Sequence, residues 1–543
     1  MSLGGLMPEA EVQAYLDAHK IQTRVEEAIN AAVRSKAPNP FEFMAGQLAP
    51  RPAVPAVAKQ VGLQNAELAT LRGELANELR DFFQFFDQGG VDHEHGGFCC
   101  GLTHGGRRLT DLKFIWFNGR GVWTYSAAYN RRVLRGTPPP RATAATTADD
   151  AMQSYLLEVA ERGAKFALEQ GRDGAGEWVV EMDGKGAPLG AADPGYIPTT
   201  GYGTAFIAEG LQELYRATRR PEPLLTSLTL LSGFVRMMDE PNRRGDAVGA
   251  AVAASYPGLR TLGHHMICLN LARQLHAGLD ETIADRSLPP ALATGDALAN
   301  AAGVAAGGGG AAPVLAWLRG VLDRMVQAIL GKFLHPELGL LSECLDHEYN
   351  RPDDGNEDFV YLGHAIETLW MVMAEAERRG DEALYARAAR LFIRHVEAAW
   401  DPLCGGVLRG LNGRTHKYLL DEDAKVKWAH DEVMVGCLMI LAHPPHEEGI
   451  SAEASGGEAA ADWAARSLRR VRAYMERSFR LQPRGSWKVG GDRHAKPDPN
   501  AEGISGYNMG CKSLPNRVEH YHHPRMLMLS IDACDRALFR ATK

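Results

Sequence analysis

The 543-residue sequence predicts an all-α fold: an (α/α)6 toroid with short β-hairpins in the loops at one mouth. Three observations predict it. A weak repeat occurs six times, each time a glycine-punctuated, strand- or turn-rich segment followed by an amphipathic helix. Further helical patterns fall between the repeats. The conspicuous polar residues recur at one place in each unit, where its helix opens. Six inner helices inside six outer ones close a ring, as in known toroids of this kind. The loops ahead of the inner helices then meet at one mouth, so residues distant in sequence become neighbours. The plainer alternative is a non-repeating helical solenoid.

The units follow in order. The first runs from His95-Gly-Gly-Phe98 through Arg120 into a helix around Trp123–Arg131. The second runs from Gly176-Glu-Trp178 through Tyr202 into Ala205–Thr218. The third is degenerate, Tyr256–Gly263 and then His265–His276. The fourth runs from Gly339-Leu-Leu-Ser-Glu343 to His364 and its helix, which ends in charged residues and Gly380. The fifth runs from Gly405-Gly-Val407 to Trp428 and a helix through Ala442. The sixth runs from Gly485-Ser-Trp487 to His522 and a helix through Ala537. Intervening helices are predicted at Asp149–Gln170, Leu224–Asp239, Ala311–Lys332, Glu382–Trp400 and Ala460–Phe479.

Residues 1–65 read as an appendage to a catalytic domain at 66–543. Val12, Tyr15, Leu16, Ile21, Val25 and Ile29 have helical spacing, and Pro38, Pro40, Pro50, Pro52 and Pro55 make an extended linker. The Ala/Gly-rich stretch 294–312 and the Glu/Gly/Ser/Ala-rich stretch 445–461 read as mobile surface insertions.

Composition narrows the function. A formal charge of −8 and the lack of a basic tract argue against a nucleic-acid partner. The eight cysteines are scattered without C-x-x-C spacing, which fits free thiols in a reducing cytosol better than disulfides or a zinc knot. Met1–Ala10 has no signal-peptide pattern, and no apolar run is long enough to span a bilayer. The expectation is a cytoplasmic protein with a small-molecule partner and no membrane or nucleic-acid partner; homodimer formation is left open.

Chemistry-bearing residues cluster at the helix starts. His364, Glu367 and Trp370 share a helical face, offering a proton carrier, a hydroxyl acceptor and a stacking plate; a helix start with a core Trp is the bland alternative. Arg120 follows Phe114, Trp116 and Phe117 and precedes Trp123, a setting that suits a cleft more than the surface. Trp428 and Glu432 are four apart, hence on one face, although the charge mixture Lys425-Val-Lys427 would more often mark a solvated helix start. His264 and His265 diverge as neighbours and lack a spaced third metal ligand; His265 is assigned to the pocket wall and the other to structure. Glu519-His-Tyr-His522-His523-Pro-Arg525 opens the last helix, and one neutral imidazole there suffices for proton transfer. Gly506-Tyr-Asn-Met-Gly-Cys511-Lys512-Ser513 only approximates a phosphate loop, because Cys511 stands where a glycine is needed. No cofactor or metal is expected.

These motifs together resemble the N-acylglucosamine 2-epimerase superfamily, which includes cellobiose 2-epimerases and mannose-type aldose-ketose isomerases. The resemblance is carried by Lys113-Phe-Ile-Trp-Phe-Asn-Gly-Arg120, Gly363-His364-Ala-Ile-Glu367, Lys425-x-Lys427-Trp428-x-x-x-Glu432 and Tyr521-His522-His523-Pro524-Arg525, in that order. It implies proton abstraction beside the carbonyl of a ring-opened sugar, through an enediol or enediolate. His364 and His522 would be the two proton carriers and Arg120 the oxyanion stabiliser. Glu367, Glu432, Trp370, Trp428, Trp116 and His265 would bind the sugar. Lys427 departs from the pattern, standing where relatives place a tryptophan, and is expected either in the pocket or turned to solvent. Two alternatives share the toroid: an inverting glycoside hydrolase using Glu343, Glu367 or Glu432 as paired carboxylates, and a non-catalytic sugar- or protein-binding ring.

Overall fold

Leu68, Leu71, Leu75, Leu79, Phe82 and Phe86 recur at three- and four-residue spacing and are all buried. They build the one outer helix that the sequence reading did not place, Asn65–Asp87. The structure, a computed structural model, describes residues 16, 21–34, 44, 65–103, 105–141, 147–176, 178–189, 200–241, 258–293, 296–305, 310–352, 358–402, 404–412, 425–445, 459–480, 490–491, 518 and 520–541. The chain divides into two units, Met1–Val61 and Gly62–Lys543. In the first lies helix α1, Ile21–Arg34; most of the proline-rich stretch is outside the described residues.

The second unit holds the ring. Its inner helices are α3 (Ile115–Arg131), α5 (Thr200–Thr218), α7 (Leu262–Ala284), α9 (Leu362–Arg379), α11 (Lys427–Ala442) and α13 (His522–Ala541). Each packs on the next, and α13 packs back on α3, which closes the circle. The outer helices are α2 (Asn65–Asp87), α4 (Ala148–Gln170), α6 (Pro221–Asp239), α8 (Ala312–Ala328), α10 (Glu382–Ala399) and α12 (Ala460–Ser478). Five of them pack on the inner helix just before them in sequence, whereas α2 covers α13 from the other end of the chain. The fold is therefore an (α/α)6 toroid. Inner helices start earlier than expected, so Arg120 lies in the second turn of α3 rather than ahead of it. The stretch at 294–312 is not all loop: Ala297–Ala302 is helical, and Leu298, Ala302 and Ala311 are buried.

Among the described residues, four two-stranded antiparallel ladders line the mouth. Strands β1 (Lys113–Phe114), β3 (Arg260–Thr261), β5 (Phe359–Tyr361) and β7 (Lys425–Val426) each lead directly into an inner helix. They pair with β2 (Glu181–Met182), β4 (Cys344–Leu345), β6 (Gly410–Asn412) and β8 (Gly490–Gly491) of the following unit. The hairpins that return from outer helices repeat in detail. Asp92 N–H donates to Gly97 O at 3.1 Å, and Asp401 N–H to Gly406 O at 2.9 Å. Gly97 and Gly406 sit at φ 76° and 82°, where a side chain is strained. A buried lysine grips each turn: Lys113 Nζ reaches Asp92 Oδ2 at 2.7 Å, and Lys425 Nζ reaches Asp401 Oδ2 at 2.8 Å. Lys425 is thus a buried strut and not part of a solvated helix start.

A second repeated position fastens strand, helix and hairpin. Asn118, four residues after Phe114, donates to Phe114 O and accepts from Phe98 N–H. His430, four residues after Val426, donates from Nδ1 to Val426 O and accepts at Nε2 from Val407 N–H, both at 2.8 Å. His265 occupies the same place, with Nδ1 bonded to Thr261 O and Nε2 to the Tyr349 hydroxyl. His395 plays a similar part from an outer helix, accepting Leu341 N–H. Burial pushes His265 and His430 down to about 3 and His395 to about 4, from 6.5.

The pH dependence follows. These folded values lie below 6.5, so the unfolded chain takes up protons first as pH falls. Their stabilisation is fully present above pH 6.5 and is lost below it, by up to about 1.4 kcal/mol per pH unit for each histidine. Urea midpoints should therefore fall steeply from pH 6.5 to 4. His430→Asn installs the residue that the first unit uses, and its midpoint should fall less steeply over that range. A slope equal to wild type would remove His430 from this account.

Candidate active site

Side chains from the first turns of the inner helices meet at the mouth, and α3, α7, α9 and α11 are each entered directly from a strand. His364, third residue of α9, bonds through Nδ1 to Glu343 Oε1 at 3.0 Å. Glu343 is fully buried and comes from the loop just before β4. His522, first residue of α13, bonds through Nδ1 to Glu432 Oε1 at 2.7 Å. Two imidazoles are thus each backed by a buried glutamate. Trp428 contacts both, its ring centre 5.8 Å from His364 and 5.0 Å from His522.

Glycines let these rings approach. A Cβ on Gly363 would stand 2.3 Å from Cη2 of Trp428. A Cβ on Gly263 would stand 2.3 Å from the Tyr202 hydroxyl and 3.1 Å from Cε1 of His364. Helices α5, α7, α9 and α11 therefore close on one spot only with glycine at both places.

Arg525 lies behind the His522 dyad, fully buried. Its Nη2 donates to Glu432 Oε1 at 2.7 Å and to Glu367 Oε1, and lies 3.1 Å from His522 Nδ1. Its Nη1 donates to the Tyr521 hydroxyl at 3.1 Å, which donates to Glu209 Oε2 at 2.8 Å. Burial opposes the Arg525 cation, but Glu432 and Glu367 outweigh it and hold it charged. Burial raises Glu432 above its usual range, against the pull of Arg525 and of the Trp370 N–H. Among the described residues, Glu367, Glu432 and His522 have ligand atoms within 4.8 Å of one another. The guanidinium nitrogen contacts all three, so a cation already sits at that point.

Arg120 stacks over Phe206 at 4.1 Å and over Tyr521 at 5.0 Å. Trp116 is half-buried against Phe114 and Phe117. Three expected binding residues have other surroundings. Trp370 is 2 % exposed and donates Nε1–H to Glu432 Oε2 at 2.7 Å, so it holds the carboxylate and offers no open face for stacking. His265 is buried at its backbone-fastening position, because its neighbour His264 turns towards Tyr202 and Phe234. Lys427 is not turned to solvent: it is 4 % exposed and paired with Asp431 at 2.7 Å. Successive helical residues point about 100° apart. Trp428 and Glu432 face the mouth, so Lys427 and Asp431 face the seam beside it.

The sequence offered Glu343 only as a carboxylate of the hydrolase alternative, not as the partner of His364, and did not assign Glu209, Tyr521 or Arg525 to the site. Arg525 was within reach, being three residues after His522 on one helical face. Glu343 precedes His364 by 21 residues in a loop and carried no spacing signal. The near-phosphate loop at 506–513 lies outside the described residues.

The ring and its histidine-lined mouth make an (α/α)6 toroid, and the comparisons bear on what kind it is. The model of the family N-acylglucosamine 2-epimerase (GlcNAc 2-epimerase) matches residues 314–506. The human N-acylglucosamine 2-epimerase is 24% identical over 397 residues, 68% of this chain and 74% of that protein. The bovine one is 26% identical over 392 residues, 69% and 76%. The cellobiose 2-epimerase structure from Bacillus thermoamylovorans superimposes with a TM-score of 0.59 at 16% identity, covering 86% of this chain and 99% of that one. A D-mannose isomerase structure gives 0.57 at 13% identity, covering 86% and 97%. The chain is thus similar to N-acylglucosamine 2-epimerases over about two thirds of its length, and the family model covers residues 314–506.

The packing at Gly363 gives a direct test. Gly363→Ala must displace the Trp428 indole, an overpacking cost of about 1–3 kcal/mol. The urea midpoint should drop accordingly. An unchanged midpoint would show that the indole moves aside freely.

Proposed function

We propose that the chain is a sugar 2-epimerase or aldose-ketose isomerase that works by proton transfer between two histidines. The observation that carries this reading is the pair of glutamate–histidine dyads, each with its imidazole against the same indole. Each glutamate takes the Nδ1 side of its imidazole and fixes the tautomer, leaving Nε2 to exchange a proton with substrate. The superfamily's named members, epimerases and an isomerase of sugars, support the same chemistry.

In this mechanism the ring-opened sugar lies against Trp428 with its carbonyl towards Arg120. One histidine removes the proton from the carbon next to the carbonyl. The electron pair moves to the carbonyl oxygen, giving an enediolate. Arg120 stabilises that oxygen, an effect worth about 3 kcal/mol where such donors have been removed. The other histidine returns a proton. Delivery to the opposite face of the same carbon yields the 2-epimer; delivery to the former carbonyl carbon, with the hydroxyl proton transferred, yields the ketose. Glycoside hydrolysis draws less support, because Glu343, Glu367 and Glu432 are each bonded to a histidine or to Arg525.

The test is NMR of N-acetylglucosamine, cellobiose and mannose incubated with the protein in heavy water. Deuterium should enter at C2 of at least one sugar without cleavage. Release of reducing sugar instead would identify a hydrolase. On the sugar that exchanges, His364→Asn and His522→Asn should each lower kcat by about 100-fold or more, with folding intact by circular dichroism. Near-normal turnover in either variant removes that histidine from the mechanism.

Metal removal is a separate prediction. The contacts of Arg525 with Glu367, Glu432 and His522 put a permanent cation where a metal would bind. Dialysis against EDTA should leave C2 exchange unchanged. Loss of exchange that is restored by a divalent ion would overturn this account of the cluster.

A further inference from the structure

A second buried cluster lies one residue away from the proposed His522 dyad, and the proton-transfer mechanism does not use it. Lys427 Nζ donates to both oxygens of Asp431, at 2.7 and 3.0 Å, and to His523 Nδ1 at 2.7 Å. His523 Nε2 in turn lies 3.2 Å from Glu78 Oε1. All four residues are less than a tenth exposed. They come from three helices: Lys427 and Asp431 from α11, His523 from α13 and Glu78 from α2.

The location gives the cluster a task. Lys427 and Asp431 directly precede Trp428 and Glu432, and His523 directly follows His522. Of the six inner helices, α13 alone has an outer partner from the other end of the chain. No short interhelical loop fixes α2 against it. Side chains do so instead: on the surface, Arg72 of α2 pairs with Asp535 of α13 at 2.9 Å, and Arg469 and Arg472 of α12 pair with Glu67 and Glu74 of α2 at 2.8 and 2.9 Å. The Lys427 cluster is the buried part of this seam. Exposed pairs of the surface kind hold little. A buried chain of charge-assisted bonds fixes geometry far more tightly.

We propose that Lys427, Asp431, His523 and Glu78 are positioning residues: they close the ring at the α2–α13 seam and thereby set the His522 imidazole against Glu432 and Trp428. The proposal rests on the assignment of His522 as a proton carrier. In this arrangement Lys427 acts through the two helices and not on the sugar. It also accounts for a lysine where the superfamily pattern has a tryptophan, since an indole there would leave Asp431 and His523 without their donor.

The experiment uses the full chain and the sugar that shows C2 exchange. Lys427→Met and Glu78→Gln are compared with wild type, with Arg72→Ala as a surface-seam control and His522→Asn as a check on the underlying assignment. All are assayed well below their Tm values. A displacement of about 1 Å at a reacting group can cost about 100-fold. Lys427→Met is therefore expected to lower kcat by about tenfold or more with KM changed less than about twofold, and Glu78→Gln to lower kcat in the same sense. Arg72→Ala should leave kcat unchanged. A purely structural role predicts lower Tm but wild-type kcat in both cluster variants, and that result overturns the proposal. If Lys427→Met does not fold, Glu78→Gln decides alone: wild-type kcat at intact fold overturns the proposal. Near-normal turnover in His522→Asn refutes the assignment beneath it, whereas loss of turnover there combined with wild-type kcat in the cluster variants refutes only the positioning role.

Discussion

The guanidinium of Arg525 is the contact on which the mouth of the ring depends. It lies on the last inner helix and bonds carboxylates from two others, Glu367 on α9 and Glu432 on α11. Two carboxylates this close to each other and fully buried repel, and each carries a desolvation cost. One delocalised cation with several fixed donors offsets both. Removing such a partner typically costs about 3–5 kcal/mol, because the charges left behind stay buried. The same nitrogen lies beside His522, so the contact that holds the three helices together also fixes the position of the imidazole.

Around this centre the backbone favours negative charge. The inner helices begin at the mouth, so their N–H groups and the positive ends of their dipoles face it. In the proposed mechanism an enediolate gains from that field more than a neutral sugar does, which is the condition for lowering a barrier rather than only binding substrate. Arg120 adds a localised cation within the same field. It is braced on the faces of Phe206 and Tyr521, so for the proposed reaction its guanidinium is already held in place.

Much of this was legible in the sequence. Helical spacing placed His364, Trp428, Glu432 and His522 at the starts of inner helices, and the repeat foretold that those starts would meet. Spacing specifies a residue's face but not what that face meets. Trp370 shares a face with Glu367, yet ring closure turns its N–H onto Glu432 from the neighbouring helix. Lys427 reads as a solvated charge until α13 and α2 are seen to cover it. Glu343 could not be found from spacing, because its partner is fixed by the β3–β4 and β5–β6 ladders. The outer helix α2 was visible in its leucine and phenylalanine spacing and was missed because no glycine-rich segment introduced it.

The repeat itself has a physical basis that outlasts its sequence identity. Each strand end must be tied to the helix it enters and to the hairpin beside it. That takes one side chain that donates to a carbonyl four residues back and accepts a hairpin N–H. Asn118 and His430 both meet the requirement, with an amide and a neutral imidazole. His265 keeps the first bond and exchanges the second for Tyr349. The α9 unit has Ala365 at this place, and there His395 from the outer helix supplies the acceptor for Leu341 N–H. Unlike residues thus satisfy one backbone demand at successive places in the ring. In the pair His264-His265, His265, which reads as pocket wall in sequence, is in this fold first a means of satisfying a buried backbone carbonyl.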